Sequence, residues 1–489
     1  MIKIRKKFFI SFCIVLGAAI VCLNFVNAQV PGVQWSSPYI LSTGEGKASE
    51  GYLVSDQYGY VHIFWSQVLP DLSTLILYTR FDGENWTTPI DIHLTGPFHQ
   101  IGNLSTFVDQ NGVLHLTWTD VLTEHIFYSQ APAHNATSAQ NWSQPLLLDF
   151  PAKEAELLVD SKGVFHILYI KYGKEAGIYY MRSTDQGISW SKPVWLDPDI
   201  LPNYLPLRPK FALDAEDGLH AVWSYSGESG SVGDWVRYFH SLDGGNTWLS
   251  FTIDKNEAGS EHLDAFADPI MAVKDNEVHI IWGGGEELYR HHRFSKDHGR
   301  TWSTPAQIFG SLNGHAGDGI TVDGIGRLHY FAQIRFPQAI YHAIWDRDHW
   351  IAPTIIYLIR NTPFESIGDR VQAHVTHPTI RAGNQLMLTF ADPPPDPERR
   401  LFVMYRNLEG ISQIPLMPTP TASPTLQPSP TPNQPTSTPT VNNLSQIPEA
   451  DPSPAQVPSP GDALWIGLVP SLIFIIGIIS YNWLSRRRH

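Results

Sequence analysis

The sequence predicts an all-β chain folded as a β-propeller, most simply of seven four-stranded blades closed by the N-terminal strand. Three observations predict it. A strand reading [VL]-H-x-x-W recurs roughly every 50 to 60 residues, a W-x-x-P segment recurs between its copies, and three polar turns share the pattern S-x-D-x-G-x-x-W. A repeat of this length suits one blade, a four-stranded unit that buries its apolar faces only by stacking on neighbours.

Residues 1–28 read as a secretory signal. Lys3, Arg5, Lys6 and Lys7 precede the apolar run Phe8 to Val26, and Val26-Asn-Ala28 offers small residues for cleavage. The length of the apolar run leaves an uncleaved anchor as the alternative. Residues 30–410 hold the repeats. The inner strand appears at Val61-His62 to Trp65, Leu114-His115 to Trp118, Phe165-His166 to Tyr169 and Leu219-His220 to Trp223. It returns at Val278-His279 to Trp282, Leu328-His329 to Ala332 and, decayed, Leu386-Met387 to Phe390. W-x-x-P begins at Trp86, Trp142, Trp190, Trp302 and Trp350, and Trp248 starts a copy without the proline. One more copy, Trp35 to Pro38, stands first in the mature chain, whereas the last inner strands near 380–390 and 401–406 have none after them. Closure of the last blade by the N-terminal strand reconciles the two. If the decayed repeat is not a blade, six is the fallback.

The turns are Ser183 to Trp190, Ser241 to Trp248 and Ser295 to Trp302. Asp bonds the backbone two residues on, Gly supplies a positive φ, and Trp anchors the next strand. This pattern resembles the Asp-box (BNR) repeat of sialidase-like β-propellers, the neuraminidase superfamily, which usually have six blades. The resemblance implies that Asp185, Gly187, Trp190, Asp243, Gly245, Trp248, Asp297, Gly299 and Trp302 are structural. It also implies ligand binding at the opposite end of the disc, over the central channel. There the loops carry Arg208, His262, Asp264, Asp268, His315, Asp318, Arg370 and His374, with His99, Glu154, Asp369 and His377, and the loops after H-x-x-W add Trp235 and Arg335. A sialidase would need three arginines gripping a carboxylate, a Tyr nucleophile activated by Glu, and an Asp acid/base. Arg208, Arg335 and Arg370 are the candidates for the clamp, with Asp264 and Asp318 as acids. The family's early arginine motif is missing, since Trp35 to Asp56 holds no Arg and only Lys47. No Tyr stands at a clear nucleophile position, though Tyr204, Tyr225 and Tyr341 stay open.

The rest of the chain bounds its partners. Formal charge is −14 over 489 residues, and setting aside the seven basic residues of the two termini leaves −21 on the remainder. So acidic a body repels nucleic acid and anionic lipid. The only cysteines, Cys13 and Cys22, lie in the N-terminal apolar run, so the folded part has neither disulfide nor thiolate chemistry. The row His62, His115, His166, His220, His279 and His329 places one histidine per blade, too spread to share one ion. No cofactor and no metal is expected. Residues 414–461 form a Pro/Thr/Ser-rich stalk, 463–484 an apolar membrane span, and Arg486-Arg-Arg488 a cytoplasmic tail over 485–489. The expectation is a monomeric, membrane-anchored extracellular propeller that recognises glycan or another extracellular ligand. Exo-sialidase activity and a protein-binding adhesion scaffold are the alternatives.

Overall fold

The computed structural model describes residues 34–42, 45–149, 152–173, 175–198, 204–226, 233–255, 267–285, 288–310, 312, 316–335, 338–360, 377–392 and 400–420. The expected signal, the tail, the expected membrane span and all but the first residues of the expected stalk lie outside them. The described residues form seven antiparallel sheets arranged as propeller blades. Their innermost strands are Tyr52–Ser55, Ile101–Val108, Lys153–Val159, Leu205–Leu213, Ala267–Lys274, Ala316–Val322 and His377–Arg381. Each packs on the innermost strands of both neighbouring blades, and the seventh packs on the first, so the ring is closed around a channel. Tyr39–Ile40 pairs with Arg400–Asn407, Tyr39 opposite Val403, and supplies the outer strand of blade 7. Blade 1 carries one extra short strand, Lys47–Ala48, on its second strand.

The second strand of each blade explains why the blades stack. In Val61–Val68 all but the last residue are buried, so both faces meet neighbours. Trp65, Trp118, Trp223 and Trp282 are at most 1% exposed. A buried aromatic of this size removes roughly 150–250 Å² from water, worth about 4–6 kcal/mol before ordering entropy is charged against it.

The recurring histidine is a strut within its blade. The Asp56 carboxylate accepts the backbone N–H of Tyr58 and Tyr60 at 3.0 and 2.8 Å, which makes the turn between the first two strands, and its second oxygen lies 3.2 Å from His62 Nε2. A carboxylate only accepts, so Nε2 carries the proton and Nδ1 accepts from the Tyr78 hydroxyl at 2.8 Å. The relay recurs as Asp160–His166–Tyr180 and Asp214–His220–Tyr238. In blade 6 His342 replaces the tyrosine, its Nε2 3.0 Å from His329 Nδ1. Burial holds His62, His166 and His329 below the usual histidine range.

The S-x-D-x-G-x-x-W turns join the third and fourth strands of blades 3, 4 and 5. In the first, Ser183 donates to Asp185 at 2.7 Å, Asp185 accepts from Ser189 N–H at 2.9 Å, and Trp190 Nε1 donates to Gly187 O at 3.2 Å. Hydrogen bonds from the Ser189 hydroxyl and N–H, and then from Ser183, hold the Asp185 carboxyl down at about 2. Gly187, Gly245 and Gly299 have φ of 85°, 82° and 80°. Arg182 reaches the next blade's turn, donating to Gly244 O at 2.7 Å and to Asn246 Oδ1 at 2.9 Å, and Arg80 donates to His134 O at 2.9 Å. These arginines clamp blades together. At the same end the chain after blade 7 crosses the turns of blades 7 and 1, with Ile414 N–H on Ala382 O and Met417 N–H on Gln57 O, both 2.9 Å.

Candidate binding site at the channel mouth

The innermost strands enter the ring at the end opposite these turns, and the first residues of several are distorted in the same way. The ladder slips between Ile101 and Leu104, between Lys153 and Ala155, between Leu207 and Lys210, and between Ala267 and Ile270. In the last three the extra residue is charged and has positive φ: Glu154 at 44°, Arg208 at 50° and Asp268 at 48°. Such a conformation costs a non-glycine residue about 1 kcal/mol or more, and a bulge re-aims the side chain it carries. Here three consecutive blades bear that cost, and all three residues line one cavity of about 330 Å³.

Two tiers of contacts run from blade to blade around the mouth. In the outer tier, Glu154 Oε2 accepts the Arg208 N–H at 3.1 Å and Arg208 Nε lies 3.0 Å from Asp268 Oδ1. In the inner tier, Ser105 donates to Glu156 at 2.9 Å and Lys210 Nζ lies 3.5 Å from the other Glu156 oxygen. Asp318 lies behind, gripped at both oxygens by Arg290 at 2.8 and 3.1 Å and bonded by the Tyr330 hydroxyl at 2.8 Å. On the far wall the Tyr52 ring packs at 4.2 Å on His377, whose Nε2 has no hydrogen-bond partner among the described residues.

Charge states follow from this crowding. Burial pushes the Glu154 carboxyl up, against the pull of Lys210 and Arg208. Burial also raises Asp318 despite Arg290. The Tyr52 phenol lies well above its ordinary value because it is buried and faces Glu50 and Glu156. Tyr172, half-buried beside Glu154 and Glu124, is pushed up to about 12, chiefly by its loss of solvent. The mouth holds more carboxyl groups than cations, with Glu50, Glu154, Glu156, Asp268 and Asp318 against Arg208 and Lys210, and its groups are mostly polar hydrogen-bonding ones.

Of the residues the sequence singled out, Glu154, Arg208, Asp268, Asp318 and His377 line this cavity. Trp235 does not: it stands in the outer layer of blade 4 against Tyr204, with ring centroids 5.9 Å apart. His262, Asp264, His315, Asp369, Arg370 and His374 lie outside the described residues, as does the side chain of Arg335. Tyr225 is fully buried and away from the cavity. Tyr52, Asn103, Glu156 and Lys210 were missed, because they read as ordinary strand residues. The one signal was their place, as polar residues in innermost strands otherwise bound for the core. Among the described residues no group of three or more His, Cys, Asp or Glu is placed to hold a metal ion.

No protein-family model and no curated protein matches the sequence. Solved structures match the chain at low identity, with TM-scores below 0.5. A protein of unknown function from Dyadobacter fermentans is 15% identical, covering 78% of this chain and 100% of its own, with a TM-score of 0.49. An α-L-arabinofuranosidase from Fusarium graminearum, solved with an iminosugar inhibitor, is 13% identical over 64% of this chain and 94% of its own, with a TM-score of 0.44. The NanB sialidase of Streptococcus pneumoniae is 12% identical over 77% of this chain and 71% of its own, with a TM-score of 0.43. Likenesses this distant assign no activity to the chain.

Proposed function

We propose that this chain is a cell-surface, extracellular carbohydrate-recognition propeller whose ligand seats in the channel mouth. The observation that carries the reading is the trio of bulges aiming Glu154, Arg208 and Asp268 into one cavity. Backbone strain repeated on three neighbouring strands at one opening is the mark of a site held in place by its scaffold. The cavity falls at the small end of ligand pockets, which run from about 300 to 1,000 Å³. Its lining supplies carboxylates, a guanidinium, an ammonium, an amide and a phenol, which matches a compact ligand presenting many hydroxyl groups. The apolar segment 463–484 would tether the domain, and a chain truncated before it should appear in the medium instead of the membrane fraction.

The test is a glycan-binding screen of the protein beside Arg208→Ala and Asp268→Ala. Binding lost in both, and kept in Leu249→Ala on an exposed outer strand, supports the site. Binding indifferent to all three would place the ligand elsewhere. Hydrolysis is a second reading, favoured by one observation: the cavity pairs a carboxyl pushed up by burial, Glu154, with a salt-bridged carboxylate, Asp268. Turnover of fluorogenic glycosides, a sialoside included, that vanishes in Glu154→Gln would establish it, and no turnover by folded protein would end it.

A further inference from the structure

Among the described residues, the two cations lining the cavity and Arg290 behind it are each paired with a carboxylate. Arg208 pairs with Asp268, Lys210 with Glu156, and Arg290 with both oxygens of Asp318. Glu154 is different. Its only hydrogen bond among the described residues comes from a backbone N–H, that of Arg208, and no cation lies within ion-pair distance of it. A carboxylate ligand would have to share Arg208 or Lys210 with a carboxylate already paired to it and enter a cavity edged by Glu50, Glu154 and Glu156. A cation meets the reverse situation, with an unmatched carboxyl ahead of it and the long-range attraction of an acidic body around it.

From this pairing we infer that the glycan unit seated in the mouth carries a protonated amine, and that Glu154 is the residue that receives it. The inference rests on the carbohydrate-recognition reading and narrows its ligand class. Two further observations agree with it. Tyr52 and Tyr172 on separate blades are both held above their ordinary range, by burial first and then by neighbouring carboxylates that include Glu156 at Tyr52 and Glu154 at both. The rim beyond continues the pattern, with Glu124 paired to Lys153 at 3.1 Å and Asp120 to His99 at 2.6 Å. Charge-assisted bonds from an ammonium to a carboxylate are stronger than neutral ones.

The test is calorimetric titration of the full chain with matched oligosaccharides. Glucosamine and galactosamine trimers are compared with their N-acetyl forms and with a galacturonate trimer, at low and at physiological salt. The expected result is at least about tenfold tighter binding of an amine form than of its N-acetyl partner, shrinking as salt rises. Glu154→Gln keeps the size of the side chain and an oxygen for the Arg208 N–H. It should erase the amine preference, so that amine and N-acetyl trimers bind the variant within about twofold of each other, and a thermal unfolding curve matching the parent's reports that the variant is still folded. Tighter binding of the N-acetyl or galacturonate trimer overturns the amine assignment and leaves carbohydrate recognition standing. A preference that survives in Glu154→Gln removes Glu154 from the role. Binding of no trimer at any salt overturns this inference and the carbohydrate reading with it.

Discussion

Arg208 shows how a single residue here serves two masters. Its φ of 50° suits glycine, yet its guanidinium, half exposed, is what the cavity presents between Glu154 and Asp268. The ion pair with Asp268 is solvated and contributes at most about 1 kcal/mol. The backbone strain costs a comparable amount. Two truncations separate these terms, because Arg208→Ala and Arg208→Gly lose the same side chain but only glycine relaxes the backbone. Arg208→Gly should therefore be more stable than Arg208→Ala by about 1 kcal/mol in denaturant unfolding, while both lose ligand. Equal stabilities would mean that the bulge does not hold φ positive in solution, and the argument for a strained, aimed side chain would fall with it.

At the scale of the strand, the Asp–His–Tyr relay shows what a satisfied buried histidine looks like, and blade 4 supplies a counterexample. In Gly233–Ser241, His240 lies directly across from His220 in the ladder and is 4% exposed, yet neither of its ring nitrogens has a partner among the described residues. His220 already bonds Asp214 and Tyr238. Arg300 and His298, from the adjoining turn, also bear on His240, and Asp297 opposes them. Burial, helped by His220, depresses His240 to about 4. The sign follows from linkage. The unfolded chain protonates near pH 6.5 and the folded one resists until about 4, so this contribution to stability is intact above 6.5 and is lost as pH falls through that window. His240→Phe keeps the ring and its contacts with Tyr238 and removes both unpaired nitrogens. It should be neutral or stabilising at pH 8, and at pH 4.5 it should gain on the order of 2 kcal/mol over the parent. A pH profile of unfolding parallel to the parent's would show that His240 is not an acid-sensitive strut.

The whole molecule shows why the architecture was legible and the site only partly so. Blade count, closure by the segment after Trp35, and the two ends of the disc follow from repeats, because every blade solves the same packing problem with the same residues. The cavity follows from departures. Glu154, Arg208 and Asp268 were visible as excess polarity before an inner strand, but the bulges that turn them inward leave no mark in the sequence, and Tyr52 and Lys210 alternate like any strand residue. Closure is also where stability concentrates, since a ring has one seam between chain ends. Leu41 is 3% exposed there, packed among Val61 and Ile63 of blade 1 and Met387, Leu401 and Val403 of blade 7, with its N–H on Leu401 O at 2.9 Å. Leu41→Ala should cost about 2–5 kcal/mol, a large part of the roughly 5–15 kcal/mol that holds a folded domain together. Opening the seam exposes the unpaired edge of Arg400–Asn407, so the loss should appear as one cooperative transition followed by aggregation. The comparison is Ile414→Ala in the strap over blade 7, half exposed, which should cost far less. If the two costs came out reversed, the strap and not the N-terminal strand would be the clasp of the ring.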